Sequence, residues 1–146
     1  MTFNSKILSQ DGWYISPGVQ IGIDSKRNLH RSAQITFGLL IEEHPYTTGL
    51  TIGYKWFRKL DKSGKKSWSR CNYYDLQSHA LESIIQPGLG IGLIRGDNME
   101  LTPRFKLWAG WFALGSYEFI NMKNDDNKHY YSLFGVLPLP IGVSGI

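Results

Sequence analysis

Along most of this 146-residue chain, apolar residues recur at every second position. Ser16, Gly18, Gln20 and Gly22 alternate with Pro17, Val19, Ile21 and Ile23. Ser32, Gln34, Thr36 and Gly38 alternate with Ala33, Ile35, Phe37, Leu39 and Ile41, and Thr47, Gly49, Thr51, Gly53 and Lys55 with Thr48, Leu50, Ile52, Tyr54 and Trp56. A period of two is that of a β-strand, whose successive side chains point to opposite faces. The pattern predicts strands near 13–23, 31–42, 47–58, 68–80, 88–95, 99–119 and 129–143. The polar turns DSKRN, EEHP, LDKSGKK, RGDN and NMKNDDNK separate most of them. The 99–119 stretch is long for one strand. Either Pro103 marks its start, an edge or a bulge, or the stretch holds two strands, giving seven or eight in all. Only LQSHALESII (76–85) has helical spacing, through Leu76, Ala80, Leu81 and Ile84, and one short helix is the alternative there. The expected fold is all-β: a single domain over 1–146, built as a small antiparallel up-and-down barrel of about eight strands.

A short repeat sharpens this picture. GVQIG (18–22), GLTIG (49–53) and GLGIG (88–92) each place Gly, a middle residue and Gly on one face, and two aliphatics on the other. A soluble sheet with one wet face usually carries Lys, Glu and Arg on that face. Here the non-apolar face is Gly, Ser, Thr and Gln. Glycine weakens a strand unless something needs the space. The interior of a narrow barrel is such a crowded place, so the small faces are expected inside and the Ile, Leu, Tyr and Trp faces outside. The opposite orientation describes a soluble barrel or sandwich whose apolar face is its core.

Alternating segments of about ten residues, one apolar face, one small or polar face, and aromatics near strand ends together resemble the small eight-stranded outer-membrane β-barrels. The aromatics in question are Trp13, Tyr14, Tyr46, Tyr54, Trp56, Phe57, Trp68, Tyr73, Tyr74, Tyr117, Phe119, Tyr130 and Tyr131. The resemblance spans nearly the whole chain and is one of architecture, without a diagnostic motif. It implies an outer-membrane location, lipid contact, and an aromatic girdle that includes Trp13, Tyr14, Tyr54, Trp56 and Trp68. Two features depart from it. The first residues, MTFNSKILSQDG, lack the basic-then-apolar pattern of a secretory signal, as in a chain not exported by that route or a mature form. The last, LPLPIGVSGI, lack the terminal aromatic that bacterial barrel assembly generally reads.

Composition adds three constraints. No apolar run reaches transmembrane-helix length. The one cysteine, Cys71, excludes an internal disulfide framework and reads as an inert small residue. His30, His44, His79 and His129 are scattered, so neither a metal site nor a cofactor is expected.

The net charge of +4 is local. Lys55, Arg58, Lys59, Lys62, Lys65, Lys66 and Arg70 face only Asp61, leaving the rest of the chain near −2. Interleaved with Trp56, Phe57 and Trp68, these cations form a candidate surface for anionic headgroups, or for single-stranded nucleic acid if the barrel is soluble. The plainer reading is a solvated hairpin.

Asp75, Gln77 and His79 share a strand face, so Asp75 and His79 are the candidates for acid–base or acyl-transfer chemistry, though no motif supplies a serine partner. Arg104, Lys106, Glu118 and Asp75 are candidates for a charged network filling the lumen. Arg95-Gly96-Asp97 reads as a turn.

The leading expectation is a membrane-embedded barrel without enzymatic activity, acting as an anchor or partner-binding scaffold. Three alternatives stand beside it. The first is a soluble, cytoplasmic lipocalin-like barrel holding a hydrophobic small molecule among Phe37, Leu39, Trp108, Trp111 and Phe112. The second is a structural subunit of an oligomer. The third is a barrel enzyme near Asp75 and His79.

Overall fold

Among the described residues of the computed structural model, nine strands form one antiparallel sheet: β1 (Gly12–Asp24), β2 (Leu29–Leu40), β3 (Tyr46–Leu60), β4 (Lys66–Ala80), β5 (Gly88–Gly96), β6 (Thr102–Gly110), β7 (Ala113–Ile120), β8 (His129–Val136) and β9 (Leu139–Ile141). The residues described are 12–41, 44–80, 85–97, 99–110, 113–123, 126 and 128–141. From β1 to β8 each strand pairs with its sequence neighbours, β1 pairs with both β2 and β8 so the sheet closes, and β9 pairs with β1 alone. The 99–119 stretch is two strands, β6 and β7, with Pro103 near the start of β6. β9 continues β8 in unchanged register against β1, Gly18↔Val136 being followed by Ile15↔Leu139. Pro138, which has no N–H to give, falls in the break between them. Eight staves therefore make the wall. Residues 76–80, the first half of the possible helix, complete β4, and 81–84 lie outside the described residues.

The register measures the barrel. A path from Tyr14 through Gly38, Gly49, Gln77, Gly90, Lys106, Glu118 and Tyr130 returns to β1 at Asp24, ten residues from its start. Eight strands with that stagger tilt by about 40° and enclose only enough room for side chains. Every residue named on the path faces inward, and large side chains share the ring with glycines.

Those glycines are where the neighbours need space. Tyr14 lies opposite Gly38, Tyr73 opposite Gly53 and Trp108 opposite Gly88. In each pair a Cβ on the glycine would run into the aromatic ring. The repeated pentapeptides are thus parts of an inward face onto which bulky neighbours fold, as cross-strand aromatics do over glycine.

The orientation follows the small-inside expectation. Ser16, Gln20, Ser32, Thr36, Thr51 and Lys55 are buried, while Val19 is 68% exposed and Leu133 62% exposed. Two apolar clusters cap the polar interior. Phe57, Cys71, Tyr73, Ile94, Ile120, Met122 and Tyr130 pack toward the end bearing the 24–29 and 60–66 hairpins, and Trp108, Leu114 and Phe134 toward the other.

Candidate functional site: a charged lumen and a basic aromatic rim

Alternation on β3, β4, β6 and β7 turns Lys55, Asp75, Arg104, Lys106 and Glu118 inward, where each is almost wholly buried. Arg104 is the hub. Its Nη1 donates to Asp75 Oδ2, and its Nε donates to Glu118 Oε2 at 3.1 Å. Nη2 lies 3.0 Å from the same Glu118 oxygen, an ion-pair contact without hydrogen-bond alignment. The guanidinium centre sits 4.0 Å from the Tyr73 ring centroid. Lys55 Nζ donates to Glu118 Oε2 at 2.5 Å. Gln20 Nε2 reaches Glu118 Oε1 at 2.5 Å and also Ser116 and Ser132, while Ser32 and Lys106 donate to Gln20 Oε1 at 3.0 and 3.3 Å. Lys106 also lies over the Phe134 ring at 4.1 Å.

Charges out of water persist only when paired and hydrogen-bonded, and this network pairs both carboxylates. Toward the opposite end, Thr36 and Thr51 hydroxyls meet at 2.7 Å, Gln77 donates to Thr36 at 3.2 Å, and Tyr73 donates to Gln34 at 3.0 Å. The lumen is a plug of polar bonds.

That geometry sorts the expectations. Asp75 and His79 share a face, but four residues along a strand is roughly 13 Å. Asp75 is engaged by Arg104, and His79 stands edge-on to Tyr14 at 6.4 Å. The structure does not bring this pair together. The lipocalin-like pocket is not assembled either. Phe37 and Leu39 are exposed on the outer wall, Trp108 is inside, and Trp111 and Phe112 lie outside the described residues. Sequence parity had no way to join faces that the sheet separates. Among the described residues, no group of His, Cys, Asp and Glu converges as metal ligands.

The basic surface loses one member. Lys55 is 0% exposed and belongs to the lumen, because its parity is that of Gly53 and Thr51. Arg58, Lys62, Lys65, Lys66 and Arg70 are exposed, and Lys59 is half-buried. Their hairpin is built as a turn. Asp61 N donates to Lys65 O and Gly64 N to Asp61 O, both at 2.8 Å, and Gly64 takes φ 78°.

The aromatic set also divides. Trp13, Tyr54 and Trp68 are exposed on the outer wall and Trp56 is half-buried there, whereas Tyr14 points inward over Gly38. Tyr46 stands with Trp13 at the end opposite the basic hairpin, while Tyr54, Tyr74, Phe105 and Tyr131 stand toward the basic end.

One rim residue escaped the sequence reading. Arg31 pairs in register with Trp56, which in turn pairs with Arg70. The Arg31 guanidinium lies 4.7 Å from the Trp68 ring centroid and 5.7 Å from that of Trp56, and Arg70 lies 5.6 Å from Tyr54. Extending the outward series of β2 one step beyond Ala33 would have found it.

No family model matches the chain, and no curated protein or solved structure is significantly similar to it.

Proposed function

We propose that this chain is a membrane-embedded β-barrel of the outer-membrane type, without enzymatic activity, that serves as an anchor or partner-binding scaffold. One observation carries the reading: the barrel is apolar outside and charged inside. Val19, Ile21, Leu50, Ile52, Leu89 and Leu133 are exposed on its wall, while the ionic network lies within. In water such a wall is a contiguous apolar patch far beyond what a monomer ordinarily shows. In a bilayer it is the surface that hydrocarbon solvates, and closure through β1–β8 leaves no edge strand among those eight.

The dimensions agree. The outward positions from Trp13 to Ile23 on β1 span about 25 Å along the axis once the strand tilt is allowed for, the height of an outer-membrane apolar band. Aromatics stand at both limits of that band, and Arg31, Arg58 and Arg70 lie at or just beyond the basic one. Anionic headgroups are the partners this rim suits. The polar plug makes the barrel a poor conduit, so the reading includes no pore.

Expression without detergent, followed by refolding into detergent or neutral phosphatidylcholine vesicles, tests the proposal. The expected results are insoluble or aggregated protein in water, then heat-modifiable migration after refolding, with no steady conductance in planar bilayers. A monodisperse soluble monomer in plain buffer would dismiss it, and a large, regular soluble oligomer would point instead to a structural subunit.

A further inference from the structure

The outer wall is not uniformly bulky. Ala33, Val19, Gly135 and Ala113 pair one after another across β2, β1, β8 and β7, forming a single outward row in which only Val19 carries more than one side-chain carbon. They floor a groove of about 610 Å³ that Arg31 and Trp56 close at the basic end. A Cβ added at Gly135 would meet nothing within 4 Å, so its missing side chain leaves open space on the surface. Packing does not require glycine there, unlike at the inward Gly38, Gly53 and Gly88.

Arg31 at the head of the groove is exposed and held against the Trp56 and Trp68 rings. Stacking restrains a guanidinium while leaving its in-plane N–H groups free for a planar oxyanion partner. Among the described residues, no carboxylate forms an ion pair with Arg31. Arg70 stands on the far side of Trp56 in the same row. A restrained cation with no ion pair among the described residues, above an open, mostly apolar groove, is complementary to a molecule with a phosphate at one end and a hydrocarbon chain behind it.

The geometry points to a specific lipid site: one acyl chain of an acidic glycerophospholipid lies in the Ala33–Ala113 groove, and its phosphate diester is held by Arg31. The inference rests on the membrane reading and names a ligand for it. Arg31 donates to the phosphate oxygens, the tryptophan faces cover the glycerol region, and Ala33, Gly135 and Ala113 admit the chain closer to the backbone than the neighbouring Ile and Leu positions allow.

The test uses the full chain refolded in detergent and offered equal amounts of palmitoyl-oleoyl phosphatidylglycerol and phosphatidylcholine, with retained lipid counted by native mass spectrometry. Folding into neutral vesicles is scored separately by heat-modifiable migration. Wild type should retain phosphatidylglycerol about fivefold over phosphatidylcholine, as expected for one interfacial cation. R31Q and G135L should each bring the ratio close to one, R31Q by removing the cation that favours a net-anionic headgroup over one whose choline already balances the phosphate, and G135L by filling the groove. R31K should recover part of it, and R95Q, on β5, should leave it unchanged.

Equal retention of the two lipids by a wild-type barrel that folds in neutral vesicles would sink the lipid site and leave the membrane reading standing. R95Q lowering the ratio as much as R31Q would replace a site with diffuse charge. Failure to fold in neutral vesicles would remove both proposals.

Discussion

Lys55 and Glu118 meet at 2.5 Å although they stand on β3 and β7, halfway around the barrel from each other. The bond is a strut across the lumen. Arg104 and Gln20 bond the same carboxylate from two further strands, so four walls converge on Glu118. Strand number and stagger set the internal width, the ionic bonds span it, and the glycines opposite the large rings make room within it.

Removing the hub should be costly. E118Q keeps the shape but leaves Lys55 and Arg104 short of a countercharge, and should destabilise the barrel by about 3–5 kcal/mol. The denaturant midpoint in the same detergent reads this out. Adding K55M should recover part of the loss, because the pair then disappears together. An unchanged E118Q midpoint would show that the network does not hold the walls.

Inward and outward glycines should answer differently. At Gly53 a Cβ collides with the Tyr73 ring, so G53A should cost about 1–3 kcal/mol. Combining it with Y73S should shrink that cost, which separates steric conflict from a general effect on the strand. G135A, with open space around it, should stay within about 0.5 kcal/mol of wild type by the same midpoint measurement.

Val19 lies near mid-height on the exposed wall. If lipid covers that wall, V19R should weaken folding into bilayers by about 2–4 kcal/mol, an effect that falls away near the interfaces. Arginine introduced at Leu60, beyond the basic rim, should cost far less. Equal folding of both variants into vesicles would contradict a lipid-facing Val19.

The 24–29 hairpin depends on one side chain. Asp24 accepts from Lys26 N at 2.9 Å, Asn28 N at 2.8 Å and Asn28 Nδ2 at 3.0 Å, while Arg27 takes φ 63°. D24A should lower stability by about 1–2 kcal/mol. R27G, which removes the cost of a left-handed side chain, should be neutral or slightly stabilising. Thermal or denaturant unfolding of the two variants would distinguish them, and a D24A barrel as stable as wild type would refute the role given to Asp24.

How far the site could be read in advance depended on distance along the chain. The inward placement of Asp75, Arg104, Lys106 and Glu118 followed from parity within single strands. Lys55 shared that parity with Gly53 and Thr51, yet its place in a cationic run drew it into the surface group. Tyr14 was grouped with the outer aromatics for a similar reason, nearness to a strand end, although its parity with Ser16 pointed inward. Asp75 and His79 satisfied parity but not distance, because a strand that aligns two side chains also separates them by its rise.

The chain by itself determined which faces the strands have and which face is small, because a period of two and the volume of a residue are local properties. The glycine repeats made small faces looking inward the expectation, because a glycine-rich strand fits where neighbours need room, and closure of the sheet decided it against the opposite orientation. Tertiary structure decided the rest: the ten-residue stagger, the strut between Lys55 and Glu118, the seating of Arg31 on Trp56 and Trp68, and the groove beside them. Each depends on how distant strands register against one another, and register is set by closure of the whole sheet, which no single segment encodes.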